Sequence, residues 1–258
     1  MYFIDVQGTL IDDANKAPIY GAIEFIKYLN SASIAYVVIT NNTKRSSEDF
    51  LGYLNSIGFD IPKEKYLDPL MILDLHVKKN NVAAFGADEF LEVLENKGFE
   101  LNYTEIETVL VAIKEDYSAD EYALMIEAIV NGATLVGMHE TTLYAKNSKR
   151  YPGVGAILKM LEFATSCKYS VVGKPSIAFY TEALEMIKKQ CKTSTFNTIT
   201  IISDDVKGDL VGAQHLGMKS VFVLSGKYTN ADEIIPKLNV EDRPHQIFKT
   251  IGHYKEAQ

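Results

Sequence analysis

Along this chain, short runs of apolar and β-branched residues alternate with longer stretches in which apolar residues recur every three to four positions. The first pattern is that of strands buried on both faces and the second that of amphipathic helices. Their alternation predicts a parallel sheet with helices packed on it. Tyr2 to Ile4, Ile34 to Thr40 ("IAYVVIT") and Val82 to Gly86 ("VAAFG") read as strands. Pro18 to Asn30 repeats Ile19, Ile23 and Ile26 at helical spacing behind a proline suited to a first helical turn. "SSEDFLGYLNSIGF" carries a serine cap, early acids and Gly58 as a stop, so it reads as a helix. The middle runs helix "DEFLEVLENKG", strand "TVLVAI", helix "ADEYALMIEAIVNG", strand "TLVGMH", helix "GVGAILKMLEFAT", a complete α/β unit between two halves of another. Thr198 to Ser203 and Ser220 to Gly226 close the pattern as late strands. The fold expected is α/β: a doubly wound parallel-sheet (Rossmann-like) core made of residues 1–86 and 173–258, with an inserted α/β domain at 87–172.

At 258 residues and 47% apolar content, the chain can bury a core of ordinary size. The formal charge of −8 comes without a long basic run, so nucleic acid is not an expected partner. The apolar runs "AYVVI" and "TVLVAI" fall far short of the roughly 20 residues of a membrane helix, and no membrane partner is expected. Asp5 sits where a secretion signal would be apolar, which predicts a soluble, cytoplasmic protein. The two cysteines, Cys167 and Cys191, have no C-x-x-C spacing and no histidine at metal spacing; they read as buried, reduced thiols.

Polar groups stand at several strand ends or loop starts: Asp5, Thr40, Lys174, and Asp204 with Asp209. In a parallel α/β sheet the carboxyl ends of the strands face the ligand crevice, so groups distant in sequence can converge there. Singly, each has a plainer reading as a helix cap, a packed strand residue or a solvated charge. As an ordered set they are poorly explained by chance.

That order resembles the haloacid dehalogenase superfamily of aspartate-nucleophile phosphatases. The family's first motif, D-x-D-G-T/V-L/V, is matched by "DVQGTL" with Gln7 in place of the second acid, and its strand-end Thr or Ser by Thr40 in "VVITNNTKRSS". The lysine of its G-K-P turn is matched by Lys174 in "VVGKPS". The closing acid pair is matched by Asp204 and Asp209 in "IISDDVKGDLVGAQHLGM", with Ser203 where glycine is usual. "TNN", "GKPS" and "GAQHLGMKSVFVLSGKY" look like the branch with a large α/β cap, nearest to the phospholysine phosphohistidine inorganic pyrophosphate phosphatase-like members.

The resemblance implies Mg²⁺ as cofactor and a small phosphorylated substrate. It assigns Asp5 as nucleophile, and Asp5, the main-chain carbonyl of Gln7 and Asp204 as metal ligands, with Asp205 and Asp209 holding the metal's waters. Thr40 and the backbone N–H of Asn41 would bind phosphoryl oxygens and Lys174 would neutralise the adjacent anions; Asn42 is counted with the substrate-binding residues, and Arg45, after "TNNTK", reads equally as a cap or as lining the cleft. A homodimer through the cap is common among relatives. Gln7 keeps the carbonyl but removes a carboxyl that could carry a proton, a role worth roughly 10²–10⁴-fold. The branch often has Ser there, which implies that an acid is dispensable for some substrates. The expectation is therefore a Mg²⁺-dependent phosphatase that favours good leaving groups. The rival reading is a phosphate-compound binding or regulatory protein of low turnover; a carbon–halogen or phosphonate hydrolase fits less well.

Two further groups carry plainer readings. His139, with Lys146, Lys149 and Arg150, could meet a leaving group from the inserted domain, but reads better as solvated loop charge. Asp12 and Asp13 read as turn residues.

Overall fold

Strand Tyr2–Asp5 has a parallel neighbour on each side, Tyr36–Ile39 and Thr200–Ser203, and is buried along almost all its length. This is why it reads as a continuous apolar run rather than an alternating one. The computed structural model describes residues 1–146 and 149–258, without the side chains of residues 145 and 146. The described residues divide into two compact units: Met1–Thr40, Glu48–Leu67 and Tyr180–Gln258 form the first, and Asn41–Ser47 with Asp68–Phe179 the second.

In the first unit six parallel strands lie in the spatial order Gln246–Phe248, Lys219–Val223, Thr200–Ser203, Tyr2–Asp5, Tyr36–Ile39, Tyr66–Leu67. Counted along the chain within this unit, the order is 6-5-4-1-2-3, the doubly wound arrangement whose switch point lies between the first and fourth strands. On one face, Ile4, Val38, Ile202 and Val221 join Phe25, Ile26, Leu29 and Tyr254 in a single core. Tyr2, Phe25 and Tyr254 meet edge to face at 5.5–6.2 Å, each ring adding packing beyond the roughly 2–3 kcal/mol of its burial. On the other face Phe3 stacks on Tyr180 at 6.2 Å.

The second unit has its own sheet of four parallel strands, Val82–Phe85, Thr108–Val111, Thr134–Gly137 and Tyr169–Val171, in that order. Its core packs Ala83, Val109 and Leu135 with Met125, Ile129, Leu158 and Leu161 of the helices Ala119–Val130 and Val154–Thr165. Ser118 and Glu121 form a reciprocal capping box at the start of the former. A two-stranded antiparallel hairpin, Leu143–Lys146 with Lys149–Pro152, completes it, Tyr144 stacking on Tyr151.

Several local readings shift. Val82–Phe85, grouped by sequence with the core segment 1–86, is hydrogen-bonded into the second unit's sheet. The first helix starts at Ala22, not Pro18, because Pro18 bridges Ile11 and the Ile19 N–H is taken by Leu10 O. Gly21 then turns the chain at φ 77°, where a Cβ would collide with the backbone of Gly252. Cys167 and Cys191 are only partly buried, since each lies just past a helix end rather than within a strand.

Two glycines, Gly21 and Gly52, predict opposite effects for the same substitution. Gly21→Ala should destabilise by about 2–3 kcal/mol, from a left-handed φ and a backbone clash. Gly52→Ala lies in the helix Ser47–Ser56 with nothing within 4 Å, and should stabilise by roughly 0.5–1 kcal/mol. Urea and thermal melts of the two variants against the parent measure both signs.

Candidate active site

Strand register delivers the first unit's polar groups to one edge. Asp5 pairs with Ile39, and Ile4 with Ile202, so Asp5, Thr40 and Asp204 stand at the carboxyl ends of three adjacent strands. Asp5 and Asp204 flank the switch point. Both are almost fully buried, at 5% and 6% exposure. Burial pushes the Asp204 carboxyl well above the usual range, and the charges of Asp5 and then Asp205 push it further. The Thr9 hydroxyl donates to Asp5 Oδ2 at 3.5 Å.

Asp204 is fitted into its place by backbone. Gly8, at φ 70°, and Gly226 both approach it so closely that a Cβ on either would strike its Oδ2. The Lys227 N–H donates to that same oxygen at 2.5 Å, and Lys227 Nζ pairs with Asp205 Oδ2 at 2.5 Å. Burial alone would lower the Lys227 pKa, but the charge and hydrogen bond of Asp205 raise it, so the ammonium is retained. Asp205 caps the π-helical turn Val206–Leu210 through the Gly208 N–H at 2.9 Å. Ser203 donates to Asp209 Oδ2 at 2.7 Å and accepts from the Asp205 N–H at 3.0 Å. Ser203 thus ties the two acids of the turn together, which a glycine could not.

Gln7 lies two residues beyond Asp5, and its Oε1 accepts the Thr40 hydroxyl at 2.9 Å. Thr40 is completely buried, and its N–H is used by Leu67 O at 3.1 Å. Two carboxylates and a main-chain carbonyl are hard oxygen donors of the kind Mg²⁺ takes with several retained waters. The like-charge crowding of Asp5, Asp204 and Asp205 is what a cation would relieve, so the residues present fit the metal.

Apart from Asp12 and Asp13, the remaining sequence candidates belong to the second unit. Lys174 is 2% exposed, and its N–H donates to Asn41 Oδ1 at 2.9 Å. Asn42 Nδ2 donates to Arg45 O and Asp68 Oδ2, and Asn42 Oδ1 accepts the Arg45 N–H, a side chain folding its own loop. Asp68 also accepts from Ser47 Oγ at 2.7 Å. The Arg45 side chain is exposed. His139, expected as solvated charge, is instead buried, its Nδ1 accepting from the Thr141 N–H at 3.4 Å. Lys149 and Arg150 are exposed, while the side chain of Lys146 lies outside the described residues. Asp12 accepts backbone N–H groups of Asn15 and Ala17, a turn as expected, which lowers its pKa.

Sequence reasoning passed over Lys227, Gly226 and Thr9. The signal for Gly226 and Lys227 was present as Gly-Lys shortly after the buried strand Lys219–Val223, where a glycine marks close backbone approach.

Comparison with known proteins supplies the relatives. A family profile described as haloacid dehalogenase-like hydrolase matches residues 2–100, and a related one, HAD-hydrolase-like, matches 171–253. The chain is 30% identical to haloacid dehalogenase-like hydrolase domain-containing protein 2 of Rattus norvegicus, over 97% of this chain and 95% of that protein. It is 26% identical to the phospholysine phosphohistidine inorganic pyrophosphate phosphatase of Mus musculus, over 92% and 87%. Among solved structures, the p-nitrophenyl phosphatase from Archaeoglobus fulgidus superposes with a TM-score of 0.83 at 23% identity, covering 100% of this chain and 98% of that one. NagD from E. coli K-12 does so at 0.76 and 21%, over 97% and 96%. The fold is therefore that of these structures, and with a full-length relative at this identity the chain belongs to the haloacid dehalogenase-like hydrolases.

Proposed function

We propose that this protein is a Mg²⁺-dependent phosphatase of small phosphorylated compounds, with Asp5 as its nucleophile. The observation that carries the reading is the buried pair Asp5 and Asp204 on either side of the sheet's switch point, in a chain of this family. A carboxylate oxygen of Asp5 attacks phosphorus in line, and the bond to the leaving oxygen or nitrogen breaks with its electron pair going to the leaving group. Water then attacks the aspartyl phosphate, releasing inorganic phosphate and restoring Asp5. Asp5, the Gln7 carbonyl and Asp204 would hold Mg²⁺, which when bound supplies positive charge against the phosphoryl oxygens. Thr40 and the Asn41 N–H are assigned to those oxygens, and Lys174 to neutralising anionic charge, on the family motif. Names among the relatives, p-nitrophenyl phosphatase and phospholysine phosphohistidine inorganic pyrophosphate phosphatase, support phosphate compounds as substrates.

Gln7 shapes the substrate class. Its amide cannot protonate a departing alkoxide, so charge on the leaving group must develop unaided in a loose transition state. Aryl and acyl phosphates tolerate this; phosphoramidates can be protonated from solvent, and pyrophosphate departs as a stabilised anion. The same residue favours the rival reading, a binding protein of negligible turnover.

Three outcomes follow. A panel of aryl, acyl, pyrophosphoryl, phosphoramidate and alkyl phosphates with Mg²⁺ should show turnover that Asp5→Asn reduces at least about 10³-fold; no turnover of any compound at high enzyme leaves the binding role. Calorimetry should show Mg²⁺ binding lost in Asp204→Ala and kept in Gln7→Ala, since only the main-chain carbonyl of residue 7 is needed. Turnover of p-nitrophenyl phosphate should exceed that of glycerol phosphate by roughly 10²-fold or more, and Gln7→Asp should narrow that ratio. An unchanged ratio in a folded, metal-binding Gln7→Asp protein removes Gln7 as its cause.

A further inference from the structure

Thr40 has two hydrogen-bond donors, and both are committed inside its own unit: its N–H to Leu67 O at 3.1 Å and its hydroxyl to Gln7 Oε1 at 2.9 Å. A hydroxyl carries a single proton. While Gln7 holds it, Thr40 offers an incoming oxyanion only lone pairs, which repel it. Gln7 is half-buried, and its Nε2 has no partner among the described residues, so the amide is held on this side by that one bond.

We infer that Gln7 is an internal competitor for the phosphoryl group: its side-chain carbonyl occupies the Thr40 hydroxyl in the ligand-free chain, and a bound phosphoryl oxygen must displace it. The inference rests on the proposed function, which assigns Thr40 to the phosphoryl group, and adds to it the element that opposes binding. The exchange is physically permitted because the two partners differ in burial. Thr40 is fully buried and would lose heavily if its hydroxyl were left without an acceptor, so the proton passes from one acceptor to the other. Gln7 can turn its amide into water, where its hydrogen bonds are replaced at little cost. An anionic phosphoryl oxygen is a stronger acceptor than a neutral amide carbonyl, so phosphate wins the exchange, and its affinity is reduced by the bond it breaks. Gln7 is thus a specificity-determining residue that screens acceptors by charge: a neutral or weakly basic oxygen does not displace it.

The test is direct binding of inorganic phosphate to the full chain with saturating Mg²⁺, read by calorimetry and independent of turnover. Gln7→Leu and Gln7→Ala both remove the competing acceptor, one keeping bulk and one not, and each should tighten phosphate binding about 3- to 10-fold, the worth of one neutral hydrogen bond. In a Thr40→Val background the gain from Gln7→Leu should vanish, and in Thr40→Ser, which restores the hydroxyl, it should return. Phosphate affinity that is unchanged or weakened in both Gln7 variants, or a gain that persists in Thr40→Val, overturns this inference alone. No phosphate binding by any protein, the parent included, overturns the proposed function and this inference with it.

Discussion

Two carboxylates buried at the carboxyl ends of neighbouring strands are an electrostatic cost that the surrounding chain is built to contain. Asp5 and Asp204 are carried there by strand register, because Tyr2–Asp5 and Thr200–Ser203 pair residue for residue and both strands end at the same level. Neither can withdraw into solvent without breaking a strand that is buried on both faces. The local answers are specific: two glycines that leave space for the Asp204 carboxylate, a backbone N–H from Lys227, and the Lys227 ammonium beside Asp205. Asp205 and Asp209 are further tied through Ser203, which accepts from the Asp205 N–H and donates to Asp209, while the Asp205 side chain caps the π-helical turn between them. A site that concentrates negative charge in this way fits the divalent cation of the proposed function.

Gln7 changes what such a site can do without changing its framework. With the glutamine in place, the first loop is closed by the Gly8 turn and by hydrogen bonds from Gly8 N–H to Ile11 O and from Leu10 N–H to Val6 O. What the glutamine alters is proton chemistry. A carboxyl in that place can give and take a proton, whereas an amide can only donate and accept hydrogen bonds. Its carbonyl finds the Thr40 hydroxyl, a polar group with no solvent of its own. Residue 7 and residue 40 therefore act as one element in this chain, and the effect of either is to be judged with the other present.

A fold shared at 23% identity with a TM-score of 0.83 shows how little of the architecture depends on particular side chains. Buried parallel strands need apolar, often β-branched residues, and many combinations satisfy that requirement. The second unit follows the same rule with a separate core, in which four strands and the helices packed on them bury their own apolar faces. On the proposed function, chemistry depends on far fewer positions, and Gln7 and Ser203 are two where this sequence departs from the motif it resembles.

The sequence by itself determined the α/β alternation and the strands ending in Asp5, Thr40 and Ser203-Asp204, because period and strand-end polarity are local properties. Helix ends set by glycine, such as the one after Ser56 near Gly58, were legible for the same reason. Elements of two or three residues, Tyr66–Leu67 and Gln246–Phe248, were not, since they are too short to show a period and exist only through their neighbours. Nor could local pattern say which sheet Val82–Phe85 joins, that Pro18 bridges Ile11 instead of opening a helix, or that His139 is buried. The tertiary structure alone decided that Gln7 meets Thr40 across 33 residues and that Lys227 meets Asp204 and Asp205. Such contacts depend on register and strand order, and these are fixed by how the whole sheet packs rather than by any segment within it.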